Sequence, residues 1–135
     1  MKVLLVESSF SKMENVAAQL ECRGIETVKA FTNHQAQRVL QCLGPFDWIV
    51  TTDSIPNGDG IEFARVVKIL FPKTKVILVV DEIKVSIRKI SRFHIEKIIK
   101  GWGSVDLILG CLRRDFRQMR QRKLEVFEKR WQEEL

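Results

Sequence analysis

Five short runs of aliphatic, aromatic and β-branched residues alternate along this chain of 135 residues with stretches whose apolar residues recur at helical spacing. Such alternation predicts parallel strands joined by right-handed helical crossovers, and therefore one doubly wound α/β domain with helices on both faces of the sheet. The clearest run, Lys75–Val80, is continuously apolar after its first residue, as in a strand that is covered on both faces. The five predicted strands are Lys2–Val6, Thr27–Phe31, Trp48–Thr52, Lys75–Val80 and Lys97–Lys100.

Capping and breaking residues place helices between these strands. Ser9 or Ser11 can cap the first helix, and Thr32 or Asn33 the second. A short fourth helix is predicted around residues 85–90, and Ser104 can cap a long last helix that contains no proline. The inward side of the second helix is predicted to be Ala36, Val39, Leu40 and Leu43, and that of the third Ile61, Phe63, Ala64, Val67 and Leu70.

The overall composition is that of an ordinary soluble protein, with 45% hydrophobic and 30% charged residues. Because no apolar run approaches the length of a membrane span or a signal-peptide core, we expect a cytoplasmic protein. The three cysteines (Cys22, Cys42 and Cys111) are far apart and form no metal-binding or redox motif, and the two histidines are isolated. We therefore expect no metal site.

The net charge of +6 invites a nucleic-acid interpretation. The positive charge is dense only from Arg113 to Lys123, where six basic residues accompany one acid. That patch alone does not establish DNA binding.

The third predicted strand runs into a loop, 54–60, that contains one proline, one asparagine, one aspartate and two glycines. Such a loop must turn sharply before the next helix begins at about Ile61. Because open α/β sheets bind ligands at the carboxyl ends of their strands, we expect any functional site to lie at this loop.

Four stretches together resemble the CheY-like receiver domains of bacterial two-component response regulators, over roughly residues 1–120. They are Val3-Leu4-Leu5-Val6-Glu7, Phe46-Asp47 with Pro56-Asn57-Gly58-Asp59-Gly60, the strand Val76–Val80, and Ile98-Ile99-Lys100. The resemblance implies a flavodoxin-like sheet with strand order 2-1-3-4-5. It also implies a pocket in which an aspartate accepts a phosphoryl group, acids at the end of the first strand help to hold Mg²⁺, and a hydroxyl and a lysine contact the phosphoryl oxygens.

Compared with that pattern, this chain departs at most of the pocket positions. Glu7 matches the first acid, but Ser8 replaces the second. The acceptor position, four residues before Pro56, is Thr52, and the hydroxyl position on the fourth strand is Val80. Lys100 matches the lysine, and Gly101 replaces the proline that follows it in the family.

These replacements predict a pocket without phosphoryl chemistry. A threonine cannot form an acyl phosphate, and the loss of two carboxylates weakens Mg²⁺ binding, so we expect no cofactor. Asp53 lies one residue from the acceptor position and is the alternative acceptor; strand alternation turns it away from Lys100 unless a bulge intervenes. We also expect Lys100 to be an interior lysine paired with Glu7.

The last helix is predicted to continue beyond the domain, which divides the chain into a receiver-like domain, 1–120, and a helical extension, 121–135. The apolar stripe that docks on the sheet, from Val105 to Met119, continues as Phe127, Trp131 and Leu135. We expect this surface, with Arg113, Arg117 and Arg120, to mediate homodimerisation, alone or with the face of the fourth helix and fifth strand. Docking of another protein and nucleic-acid binding are the further alternatives, and a solvated helix with a frayed end is the simplest one.

The sequence therefore predicts a degenerate receiver that is not an enzyme and that regulates through phosphorylation-independent protein interaction. One alternative is a single-domain response regulator phosphorylated at Asp53, and another is a nucleic-acid-binding regulator. A flavodoxin-like cofactor binder is a further alternative, although no glycine-rich phosphate loop follows the first strand.

Overall fold

The structure, a computed structural model, describes residues 1–53, 60–81, 95–103 and 105–134. The strands are β1 (Lys2–Val6), β2 (Glu26–Ala30), β3 (Trp48–Thr52), β4 (Lys75–Val80) and β5 (Lys97–Lys100). The helices are α1 (Phe10–Cys22), α2 (Asn33–Leu43), α3 (Gly60–Leu70) and α4 (Val105–Glu134). The predicted short helix at 85–90 lies outside these described ranges.

All five strands are parallel and follow the order β2-β1-β3-β4-β5. The predicted α/β class and strand order 2-1-3-4-5 are therefore confirmed. The predicted bounds of four strands are also those of the structure, and β2, predicted as Thr27–Phe31, begins and ends one residue earlier, at Glu26–Ala30.

Strand alternation divides the core into two layers, one on each face of the sheet. On β3, Trp48 and Val50 face α1 and α4, where Met13 and Ile108 join the same cluster. Ile49 faces the opposite side, where α2 and α3 supply apolar residues. Helices therefore cover both faces of the sheet, as predicted.

The starts of α1 and α2 agree with the capping pattern, with Ser9 and Thr32 at the N-cap positions. Ser104, the predicted cap of the last helix, lies outside the described residues. Two helix ends do not follow the predicted stripes. Thr32 caps α2 by accepting a hydrogen bond from the Gln35 amide. Leu43 and Leu70, predicted to face inward, are exposed. Each lies at the last position of its helix, beyond the area that the sheet can cover, so a helical period alone overestimated the buried stripe.

Helix α4 contains 30 residues and is much longer than the sheet is wide. One side of its first turns is buried (Val105, Ile108, Leu109 and Leu112), whereas residues 120–133 are all exposed. None of the helices in the described parts of the chain has the length and apolar character that a bilayer span requires.

Candidate functional site at the carboxyl edge of the sheet

The predicted pocket residues lie at the carboxyl ends of four neighbouring strands. Val3 pairs with Trp48 and Leu5 with Val50, and this register, continued, sets Glu7 beside Thr52. Thr52 pairs with Val79 on β4, and Val80 pairs with Lys100 on β5. The sheet thus brings the sequence-predicted positions to one edge, as parallel topology requires.

Glu7 is buried at this edge and serves the start of α1. Its Oε1 accepts hydrogen bonds from the Ser9 amide at 3.0 Å and from the Ser8 hydroxyl at 3.3 Å. Ser9 is the N-cap residue of α1, and its own side chain makes no capping bond. A carboxylate is favourable at a helix N-terminus, so Glu7 has a structural role that needs no ligand.

The predicted pair of Glu7 with an interior Lys100 is wrong. Lys100 is exposed, and the ion pairs of the residues described do not include one between it and Glu7. β5 is three strands away from β1, which separates the two backbones by about 14 Å at the usual strand spacing. The carboxylate of Glu7 instead contacts Ser8 and Ser9 at the start of α1.

Thr52 is buried at the end of β3, and Asp53 follows it in a turn where it is half-buried. The backbone of Thr52 also meets the start of α3 very closely. A Cβ placed on Gly60 would lie 2.4 Å from the Thr52 carbonyl oxygen. Only glycine permits this approach, so α3 is packed directly against the acceptor position.

The neighbouring strand end lacks the hydroxyl and the proline of the family pattern. The Val80 side chain is buried in the core on the α2 and α3 face. Its carbonyl oxygen accepts a hydrogen bond of 2.9 Å from the Gly101 amide, and Gly101 has φ +75°. Proline has no amide hydrogen and a fixed negative φ, so this turn is incompatible with the family's proline.

The described residues at this edge do not fit the Mg²⁺ ion that the receiver resemblance implies. Glu7 and Asp53 are the acids near the ends of β1 and β3, and Glu7 is engaged with α1. Within the described portions of the chain, no group of three His, Cys, Asp or Glu side chains could hold a metal ion. Ser8 and Thr52 offer neutral hydroxyls where hard cations prefer carboxylates.

A network that the sequence analysis did not foresee lies at the opposite, amino-terminal edge. Asp115 on α4 accepts hydrogen bonds from the Trp48 indole at 2.8 Å and from the Lys75 ammonium at 2.7 and 2.9 Å. The one acid within the basic patch therefore anchors α4 to β3 and β4. The sequence held one signal for this contact, a tryptophan at the start of a predicted strand. A buried indole nitrogen usually finds a hydrogen-bond acceptor.

Glu96 and Thr74 extend this network at the same edge. Glu96 contacts the Lys68 ammonium and accepts a bond from the Val76 amide. The Thr74 hydroxyl donates to the Phe46 carbonyl oxygen at 2.6 Å, and both residues are buried.

The predicted interaction residues of the last helix are all exposed. Arg113, Arg117 and Arg120 are exposed, as are Phe127 and Trp131. The six basic residues from Arg113 to Lys123 surround the helix instead of sharing one face, as follows from 3.6 residues per turn.

Comparison with known proteins gives structural matches alone. No family model matches the chain, and no curated protein sequence matches it. A CheY-like response regulator receiver domain protein from Methanospirillum hungatei superposes with a TM-score of 0.80 at 16% identity, over 89% of this chain and 96% of that one. A two-component response regulator from Clostridium difficile gives a TM-score of 0.80 at 12% identity, over 88% and 98%. The non-phosphorylated HemR receiver domain from Leptospira biflexa gives 0.75 at 19% identity, over 84% and 91%.

These similarities cover nearly the whole length of each matched chain, and the sequence identities are low throughout. Together with the strand order and the two-layered helical cover, they identify the architecture but not the activity. The chain has the fold of response regulator receiver domains.

Proposed function

We propose that this protein is a receiver-type regulatory module that acts through protein interaction, without phosphorylation and without catalysis. The observation that carries the proposal is the buried Thr52 at the end of β3, where the family pattern has its acceptor aspartate. In this proposal the degenerate pocket comprises Glu7, Ser8, Thr52, Asp53, Val80 and Lys100, and the protein works in the cytoplasm.

The chemistry of this edge supports the absence of phosphoryl transfer. Acyl phosphate formation needs a carboxylate, and Thr52 offers a hydroxyl. Stabilising the incoming phosphoryl charge needs a cation, and two of the carboxylates that would hold one are replaced, by Ser8 and Thr52. The bond between Gly101 and Val80 fixes the turn after β5 in a conformation that the family's proline would not adopt.

The surface chemistry of α4 supports the interaction role. Its second half exposes Leu124, Phe127 and Trp131 along a helix that the domain does not cover. Exposed large apolar side chains in a row are typical of protein-interaction surfaces. The receiver-like domain of residues 1–120 thus carries an extension, 121–135, that reaches a protein partner or a second copy of the chain.

The direct test is the intact mass of the purified chain after incubation with Mg²⁺ and acetyl phosphate. We expect no added phosphoryl group, with the Asp53→Asn variant behaving identically. One added phosphoryl group that Asp53→Asn abolishes would overturn the proposal and make the protein a response regulator with its acceptor displaced by one residue.

Nucleic-acid binding through the basic patch is tested separately on duplex DNA. A phosphate-dominated interaction weakens steeply as salt is raised. We expect no retention at low salt; retention that falls steeply with salt and is lost on substitution of Arg117 and Arg120 would identify a nucleic-acid-binding regulator.

A further inference from the structure

The free segment of α4, residues 120–133, is exposed at every position. Within it, the side chains of Leu124, Phe127 and Trp131 are 48%, 66% and 58% exposed. Their spacing of three and then four residues aligns them on one side of the helix, which we call the exposed seam. Helices without tertiary contacts are marginally stable in water, so a covered seam would stabilise this segment.

The exposed seam does not continue the surface that docks on the sheet. At 3.6 residues per turn, its centre lies about 80° around the helix from the centre of the docked side. The docked side consists of Val105, Ile108, Leu109 and Leu112. The domain that covers the first half of α4 therefore cannot cover the seam by a small shift of the helix, so covering it would take a surface from another chain.

Arginines continue the same line toward the domain. Arg120 and Arg117 precede Leu124 by four and seven residues, so the line of spacing is 3, 4, 3 and 4 from Arg117 to Trp131. This is the spacing of core positions in a coiled coil. The line is cationic at one end and aromatic at the other.

We propose that the free segments of two copies of this chain pair as antiparallel helices; this rests on the interaction function proposed above. Leu124 and Phe127 of both copies form the centre of the pairing. On each side of that centre, Trp131 of one copy lies against Arg120 of the other. A guanidinium over an indole ring is a favourable cation–π contact.

The charges of the helix favour the antiparallel direction over the parallel one. Residues 117–123 carry four basic and no acidic side chains, and residues 128–134 carry three acidic and two basic ones. Antiparallel pairing apposes these two stretches. Parallel pairing would set Arg117 and Arg120 against the same residues of the second copy, where like charges repel.

The first test is the mass of the full-length protein in solution, by sedimentation at high and low concentration. We expect a dimer that dissociates on dilution and that Phe127→Glu abolishes. Val126→Glu is the matched control, because Val126 is 53% exposed but points about 130° away from the seam centre at 3.6 residues per turn. A monomer at all concentrations, or equal effects of the two variants, would overturn the pairing.

The second test reads the direction of the helices from distances between spin labels. Cys22, Cys42 and Cys111 are replaced, and the label is attached at Glu125→Cys or at Gln132→Cys. Antiparallel pairing separates the two Gln132 positions along the axis by about 20 Å at 1.5 Å per residue, and leaves the two Glu125 positions nearly level. Equal distances at the two sites would indicate a parallel pair and contradict the proposal.

These tests are independent of the phosphorylation test. A monomer that takes up no phosphoryl group would remove the pairing and leave the proposed function with a different partner. A dimer that is phosphorylated at Asp53 would keep the pairing and remove the phosphorylation-independent function.

Discussion

The two edges of the sheet differ in how their polar side chains are used. At the amino edge, Asp115 contacts Trp48 across 67 positions of sequence and joins α4 to two strands. At the carboxyl edge, Glu7 contacts Ser8 and Ser9, which follow it directly. The amino edge thus holds elements together, so replacements in the pocket at the carboxyl edge leave those contacts intact.

The largest expected effect comes from a backbone contact at the carboxyl edge, where Gly60 at the start of α3 lies against Thr52. Gly60→Ala would put a Cβ 2.4 Å from a carbonyl oxygen of β3, and neither backbone can move easily. We expect the free energy of unfolding to fall by about 3 kcal/mol or more, as for severe overpacking. Urea unfolding measures this change in stability. The control is Gly110→Ala, where an added Cβ meets nothing within 4 Å. Equal stability of Gly60→Ala and the native chain would show that the approach is not tight.

At the amino edge, Asp115→Ala removes the acceptor of three hydrogen bonds. The loss leaves the Trp48 indole and the Lys75 ammonium without this partner, and we expect the free energy of unfolding to fall by about 2 kcal/mol. Glu128→Ala, at an exposed acid of the same helix, should change it little. Comparable effects of the two substitutions in urea unfolding would mean that the network does not anchor α4.

Replacing a buried threonine with valine should change the free energy of unfolding in opposite directions at the two edges. Thr51 is fully buried near the end of β3, and its hydroxyl has no hydrogen-bond partner among the described residues, whereas the buried Thr74 hydroxyl donates to the Phe46 carbonyl oxygen. Valine has nearly the shape of threonine. We expect Thr51→Val to raise the free energy of unfolding by about 1 kcal/mol and Thr74→Val to lower it by about the same amount. Thermal unfolding of the two variants tests these opposite effects. Destabilisation by both substitutions would contradict the expectation.

The smallest expected effect is on the reactivity of a thiol that lies beside the hydrogen-bond network at the amino edge. Cys111 is half-buried in a groove that Asp115 and Lys75 also line, and burial raises the pKa of its thiol. A raised pKa leaves less thiolate at neutral pH, so alkylation should be slower than at the exposed Cys22 and Cys42. Peptide mapping after timed iodoacetamide treatment gives the rates. The fastest reaction at Cys111 would show that the groove is open to solvent.

The sequence was sufficient for the strands and for the sheet edge at which the predicted pocket residues lie, because both follow from local pattern and parallel topology. The bounds of β3, β4 and β5 were predicted as the structure has them, and Thr52 lies at its predicted strand end. That the predicted pocket residues form a functional site remains a prediction.

The predictions that failed depended on distances between secondary-structure elements. The Glu7–Lys100 pair was wrong because strand order separates β1 from β5, and residue types alone carry no distance. The contacts of Asp115 and Glu96 were missed because each joins segments that are far apart in sequence. Leu43 and Leu70 were placed inward because a helical period does not reveal where the sheet ends.

We expect the carboxyl edge to bind neither Mg²⁺ nor a phosphoryl group. Thermal unfolding with and without Mg²⁺ and beryllofluoride, a phosphoryl mimic, tests it directly, because any ligand of the folded state raises the melting temperature. The native chain should melt at the same temperature in both conditions, and a Ser8→Asp, Thr52→Asp variant, which restores two carboxylates, should gain a Mg²⁺-dependent increase. A melting temperature of the native chain that rises with ligand concentration would contradict the account.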